Sequence, residues 1–199
     1  MAVAQDITRL SEADYLRLER QAEFRSEFFE GEIFAMAGGT RAHSLIAVNL
    51  AGELRNKLTD TDCVAYNTDL KVKVEATGLL TYPDLSVVCG EQRFLDEEAD
   101  VLLNPSVVIE VLSDSSEAYD RGKKFENYRQ IPSLREYLLV SQTEPRIELF
   151  TRQANGEWNL KEAVGLDAKI ELPLLKITLR LAEVFAKVKF TPATLRRRT

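Results

Sequence analysis

The sequence predicts an α/β (α+β) domain with a mixed β-sheet core flanked by helices. Three observations carry this expectation. Helix-like and strand-like segments follow one another as helix, hairpin, helix, several strands, helix and further strands. The run Val107-Val108-Ile109-Glu110-Val111-Leu112 is apolar at every position but one, as in a strand buried on both faces. From about 42 to 58, Ile46, Ala47, Leu50, Leu54 and Leu58 recur at helical spacing, marking a long amphipathic helix.

The elements follow in order. Ser11 with Asp14 three residues on is a helix N-terminus, and that helix runs to about Gln21. Phe28-Phe29 and Ile33-Phe34 flank Glu30-Gly31 as a hairpin, and Gly38-Gly39-Thr40 breaks the chain before the long helix. Val64-Ala65-Tyr66 is a strand. Leu70, Val72 and Val74 alternate with Lys71, Lys73 and Glu75, the pattern of a half-buried strand. Gly78 turns the chain, and Pro83 opens the strand from Asp84 to Cys89. The stretch 91–100 is acidic and loop-like. After the apolar strand, 113–116 supplies turn and cap residues, and a helix from about Glu117 to Gln130 is ended by Pro132. Strands at 136–141, 146–151 and 157–164 come next, the last two joined by Asn155-Gly156, and a final helix covers about 181–187.

A chain of 199 residues suits one domain, or one with a modest extension. It has no apolar run long enough to span a membrane, and 1–20 lacks the apolar core of a signal peptide, so a cytoplasmic protein is expected. Cys63 and Cys89 are too few for a disulfide framework and lack zinc spacing; buried thiols are expected. The one histidine, His43, excludes a multi-histidine metal centre, so any metal is held by oxygen ligands, which favours magnesium, manganese or calcium. The net charge of −6 argues against a surface coated with DNA-binding charge, although the tail carries Arg196-Arg197-Arg198, read as a solvated end.

Glu110 is the most informative residue. An ionised carboxylate buried without a partner costs several kcal/mol. Glu110 therefore opens to a cleft at a strand end, meets a cation, pairs with a core Arg or Lys, or lies on an exposed edge strand. Asp84, after Pro83, projects at the mouth of a similar strand; alone, Pro-Asp is also an ordinary turn opener. On the following helix Asp120, Lys124 and Tyr128 stand four residues apart and share a face, since each step of four drifts only ~40°. Lys124 near two metal-binding carboxylates would orient a water and neutralise phosphate charge; the alternative is an exposed Asp120–Lys124 ion pair.

Taken together, Pro-Asp, an acid inside an apolar strand and a following lysine resemble the PD-(D/E)xK nuclease superfamily. The segments Tyr82-Pro83-Asp84, 108–113, 119–128 and 136–140 look like the bacterial family of putative restriction endonucleases within it, as do 27–32 and His43. The resemblance covers about 10–186, leaving a basic tail at 187–199. It implies one restriction-endonuclease-like domain over 1–199 and a magnesium site, with manganese as a substitute. Asp84, Glu110 and the backbone carbonyl of Val111 would be the ligands. Leu112 stands where the superfamily usually has its lysine; the similar family places that lysine on the next helix, where Lys124 matches. His43, Glu27, Glu32, Asp69 and Asp120 are supporting candidates. Tyr128 is expected to pack. The expected partner is DNA, with no membrane, and a homodimer is admitted by analogy with enzymes that cut both strands. The rival is an inactive nuclease-like module that binds nucleic acid or serves as an interaction module; a third reading is hydrolysis of another phosphate ester.

Overall fold

The computed structural model describes residues 9–36 and 38–190; the Arg196-Arg197-Arg198 cluster and 1–8 lie outside the described residues. Ser11 accepts the Asp14 N–H at 3.1 Å and so caps α1 (Glu12–Glu19), which buries Tyr15 and Leu16. Strands β1 (Ser26–Phe29) and β2 (Glu32–Ala35) form the expected hairpin. Its turn residues Glu30 and Gly31 both have positive φ (51° and 86°), as a two-residue turn matched to strand twist requires. Thr40 caps α2 (Arg41–Leu58), whose buried stripe is Ile46, Leu50, Leu54 and Leu58.

Six short strands follow: β3 (Cys63–Asn67), β4 (Lys71–Val74), β5 (Leu79–Thr81), β6 (Leu85–Cys89), β7 (Val101–Leu102) and β8 (Val107–Leu112). Helix α3 spans 117–128. Beyond it lie β9 (Glu136–Ser141), β10 (Arg146–Arg152), β11 (Trp158–Val164), β12 (Lys169–Leu172), β13 (Ile177–Arg180) and α4 (Leu181–Val184).

The larger sheet runs β11-β10-β9-β8-β6-β3 and is mixed: β8 and β9 are parallel, joined across α3, and the other neighbours are antiparallel. The smaller sheet runs β2-β1-β5-β4-β7, and β12-β13 form a separate hairpin. Alternation along the strands builds two cores on the larger sheet. Leu85, Val87, Val107, Ile109 and Val111 face α2, α4 and the β12-β13 hairpin. Val88, Val108 and Leu112 face the opposite way, onto Val72, Val74 and Leu79 of the smaller sheet and Tyr128 of α3. A third core seals α1 against the outer face of the smaller sheet through Tyr15, Phe28, Leu80 and Val101. Glu110 shares the parity of Val108 and Leu112. Its side chain therefore enters the layer between the two sheets.

Several expectations are corrected. Cys63 and Cys89 are not free thiols: the β3–β6 register sets them directly opposite, Cα atoms 3.9 Å apart, and they form a disulfide. The helix after β8 ends at Tyr128 and contains a π-helical turn over Asp120–Lys124. The last helix stops at Val184, where Phe185 leaves helical geometry (φ −98°, ψ 18°). Strands β5, β7, β12 and β13 were not anticipated. Among the described residues, no helix is long and apolar enough to cross a membrane.

Candidate active site

The site forms where β6 begins and β8 nears its end. The β6–β8 ladder pairs Leu85 with Ile109 and Ser86 with Val108, so one further step sets Asp84 opposite Glu110. The ladder stops there, and the Asp84 carboxylate replaces it: Oδ2 accepts the Val111 N–H at 2.7 Å, a donor that the end of β6 leaves unpaired. Glu110 Oε2 lies 3.4 Å from the Asp84 backbone nitrogen and accepts its N–H. The two acids expected from separate strands thus meet at one place.

Lys124 closes the site from α3. The residue is 5% exposed, and its ammonium lies 2.9 Å from Glu110 Oε1, 3.3 Å from Glu27 Oε1 and 3.5 Å from Asp120 Oδ1. The π turn carries Asp120 and Lys124 at its two ends, and both are buried. Such turns widen one loop of a helix and are frequent at functional sites. Tyr128, one turn later, donates its hydroxyl hydrogen to Glu110 Oε1 at 2.9 Å. It does pack, but it also fixes the acid. His43, in the first turn of α2, puts Nε2 3.2 Å from Asp84 Oδ2.

Electrostatics follow from burial. Removal from water pushes the Glu110 carboxyl up to about 8; the charges of Asp120 and Asp84 add to this, while Lys124 opposes it. Burial alone would favour a neutral Lys124 amine, but Glu110, Glu27 and Asp120 outweigh it and hold its pKa well above the usual value. Burial also raises Asp120, against the pull of Lys124. The hydrogen bond to Asp84 raises His43, against the effect of burial, and the Asp84 charge and Val111 backbone add to the rise. Four carboxylates, Glu27, Asp84, Glu110 and Asp120, thus surround one ammonium and one imidazole. The surplus negative charge is balanced only by protons or a further cation.

Of the sequence-derived residues, the fold brings together Glu27, His43, Asp84, Glu110, Val111, Asp120 and Lys124. Glu32 and Asp69 stand outside this cluster. Glu32 is exposed on β2 at the hairpin turn, opposite Phe29. Asp69 is an exposed turn residue that pairs with Arg25 and Asn67. Sequence reasoning missed Thr81 and Tyr119, whose hydroxyls both donate to Glu27, the Tyr119 bond being 3.2 Å. It also missed Tyr137, which donates to the Asp120 carbonyl at 3.0 Å. None of the three stands in a pattern that marks it; only the packing of β5, α3 and β9 around the acids does.

The donor set suits a hard cation. Asp84 and Glu110 offer oxygen, and magnesium is commonly held by one or two carboxylates, with water and substrate phosphate completing the shell. Among the described residues no group of three His, Cys, Asp or Glu side chains has metal-holding geometry.

Comparison with known proteins agrees with this architecture. A family described as "Uma2: Putative restriction endonuclease" matches residues 12–182. The uncharacterized protein slr1290 of Synechocystis sp. is 36% identical over 182 residues, covering 92% of this chain and 94% of that protein. A second Synechocystis protein, the uncharacterized sll1609, is 36% identical over 168 residues, covering 84% and 95% respectively. The crystal structure of a "putative nuclease belonging to DUF820" from Anabaena variabilis superposes with a TM-score of 0.72 at 19% identity, covering 89% of this chain and 98% of that one, and so shares its fold. With that family matched over nearly the whole described chain, the chain belongs to the Uma2 family of putative restriction endonucleases.

Proposed function

We propose that the protein is a magnesium-dependent endonuclease that hydrolyses DNA phosphodiester bonds, with manganese as a substitute ion. The observation that carries this reading is the convergence of Asp84 and Glu110 from neighbouring strands, with the Lys124 ammonium 2.9 Å from Glu110. Asp84, Glu110 and the backbone carbonyl of Val111 would hold the ion. Bound there, magnesium supplies a Lewis acid for the phosphoryl oxygen and an activated water.

The chain's own groups do the rest. Val111 N–H and His43 fix the direction of the Asp84 carboxylate. Tyr128 and Lys124 fix Glu110 through Oε1 and leave Oε2 toward Asp84. Lys124, held charged by its three acids, would orient that water or screen the charge that builds on the phosphate in the transition state. Glu27 and Asp120 keep that ammonium in position.

The experiment is cleavage of plasmid, linear duplex and single-stranded DNA with magnesium or manganese, run beside Glu110→Gln, Asp84→Asn and Lys124→Met. The reading expects metal-dependent cutting by the wild type and its loss in all three variants, with circular dichroism unchanged in Glu110→Gln. Absence of cutting, with no metal detected by calorimetry, overturns it. One observation favours the non-catalytic alternative: Glu110 Oε1 is already engaged by Lys124 and Tyr128. A binding module of that kind retains DNA affinity in Glu110→Gln and shows no turnover with any divalent ion.

A further inference from the structure

Strand β2 borders the site and is exposed along its whole length. As the edge of the smaller sheet, it presents unpaired backbone beside large apolar side chains, an arrangement that invites aggregation and that proteins usually blunt with charge. Ile33 and Phe34 are 46% and 47% exposed. The β1–β2 register separates them. Ile33 pairs with Phe28, whose side chain enters the core beneath α1. Phe34 pairs with Glu27, the acid that meets Lys124.

Residues directly opposite in an antiparallel pair project from the same face, with Cβ atoms ~5 Å apart. Thr81 and Phe29 confirm which face this is: Thr81 donates to Glu27, and Phe29, at the same parity as Glu27, packs toward the layer that holds α3. Phe34 is therefore an exposed aromatic ring one strand outward from the acidic cluster, on the cluster's own face. After β2 the chain passes Gly38 and Gly39 and returns to the site as α2, with His43 on Asp84.

Resting on the nuclease reading of the site, we infer that Phe34 stacks the base of the nucleotide whose phosphate enters the Asp84–Glu110 site, and that the substrate presents that base unpaired, as a single strand or a flipped-out nucleotide. A base within a duplex has both faces covered by its neighbours and offers no free face to a side chain; recognition by aromatic stacking belongs to unpaired nucleotides. Charge points the same way. A duplex brings one negative charge per ~1.7 Å of axis toward a chain of net charge −6. A single strand brings fewer charges per length, and stacking supplies affinity that does not depend on charge.

The test is a binding cycle on the full chain with calcium in place of magnesium. The probe is a single-stranded oligodeoxynucleotide carrying 2-aminopurine at successive positions, with an abasic counterpart at each and the matching duplex. In the wild type, one position is expected to be quenched by stacking. Phe34→Ala weakens single-strand binding about 5- to 140-fold, the equivalent of ~1–3 kcal/mol per stacked base. Removing the base at the quenched position costs the same, and the two changes together cost no more than either alone. Phe34→Tyr retains the affinity. The inference is overturned if Phe34→Ala weakens binding less than twofold, or weakens the abasic strand as much as the intact one. It is also overturned if sedimentation shows that Phe34→Ala dissolves a dimer with no change in base dependence, since β2 is then an interface between copies. Failure of the nuclease reading is read separately, as absence of cleavage by the wild type with magnesium or manganese on any polynucleotide. If cleavage stands and the cycle shows no coupling, the stacking role alone is lost.

Discussion

Replacing Lys124 by methionine keeps the length and apolar stem of the side chain and removes the one ammonium shared by Glu110, Glu27 and Asp120. Breaking a buried ion pair by removing one partner costs ~3–5 kcal/mol, because the other charge remains buried and unpaired. In a chain of this size that corresponds to a melting point lower by roughly 6–20 °C. The loss should depend on pH, and its sign is fixed by Glu110. Burial pushes this carboxyl up to about 8 from an ordinary 4.5. Such a group supports the fold fully below pH ~4.5, and that support drains away as the pH rises toward 8. Without Lys124 the pKa rises further, so the fall in stability continues over a wider alkaline range. At pH 5, with Glu110 protonated in both proteins, the penalty shrinks toward the ~1–3 kcal/mol of lost hydrogen bonds. Urea denaturation at pH 5 and 8.5 reads both values. A penalty under 1 kcal/mol at pH 8.5, or an equal one at both pH values, refutes the placement of the ammonium among the acids.

Glu136 is fully buried, accepts the Leu174 N–H at 2.7 Å through Oε1 and has no partner for Oε2; burial pushes it up to about 7, against that hydrogen bond. Glu136 should therefore add its own fall in wild-type stability between pH ~4.5 and 7, beside that of Glu110, and Glu136→Gln should remove this share of the slope and gain about 3 kcal/mol at pH 8, measured by urea titration. His43 is the sole histidine, so one imidazole signal in NMR reports its titration; it should titrate above 6.5 in the wild type and drop in Asp84→Asn. Reduction of Cys63–Cys89, which closes a loop with a sequence separation of 26, should lower stability by ~3–4 kcal/mol, and iodoacetamide should label neither cysteine until a reductant is added. Glu32→Gln and Asp69→Asn should leave metal affinity and cleavage unchanged, since both side chains stand outside the site.

Much of the site was legible because each key residue broke a local rule. Glu110 violates an apolar strand, Asp84 follows a proline that fixes where pairing begins, and Lys124 repeats on the helical face of Asp120. Burial of the strand and the closeness of the next helix convert these violations into a cluster. What stayed hidden depends on partners distant in sequence. Strand β5 has three residues and β7 has two, too short for a period to register. In β12 and β13 the alternation of Lys169-Ile170-Glu171-Leu172 with Ile177-Thr178-Leu179-Arg180 spans four residues each and becomes a sheet only by pairing with itself. The π turn has no signature beyond Gly122 within it, which lowers helix preference without saying how the helix yields. The disulfide could not be read from two cysteines in strand-like segments; it exists because the β3–β6 register aligns them. Glu32 and Glu27 looked alike by sequence. The hairpin register turns Glu27 inward and leaves Glu32 at the exposed turn.

The most direct measurement is titration of manganese, followed by electron paramagnetic resonance, into the wild type, Asp84→Asn, Glu110→Gln and Glu32→Gln. One bound ion per chain in the wild type and in Glu32→Gln, and none in the other two, is the expected result. Unchanged manganese binding in Glu110→Gln, or no binding by the wild type, contradicts a metal site built on the acids of β8 and the mouth of β6.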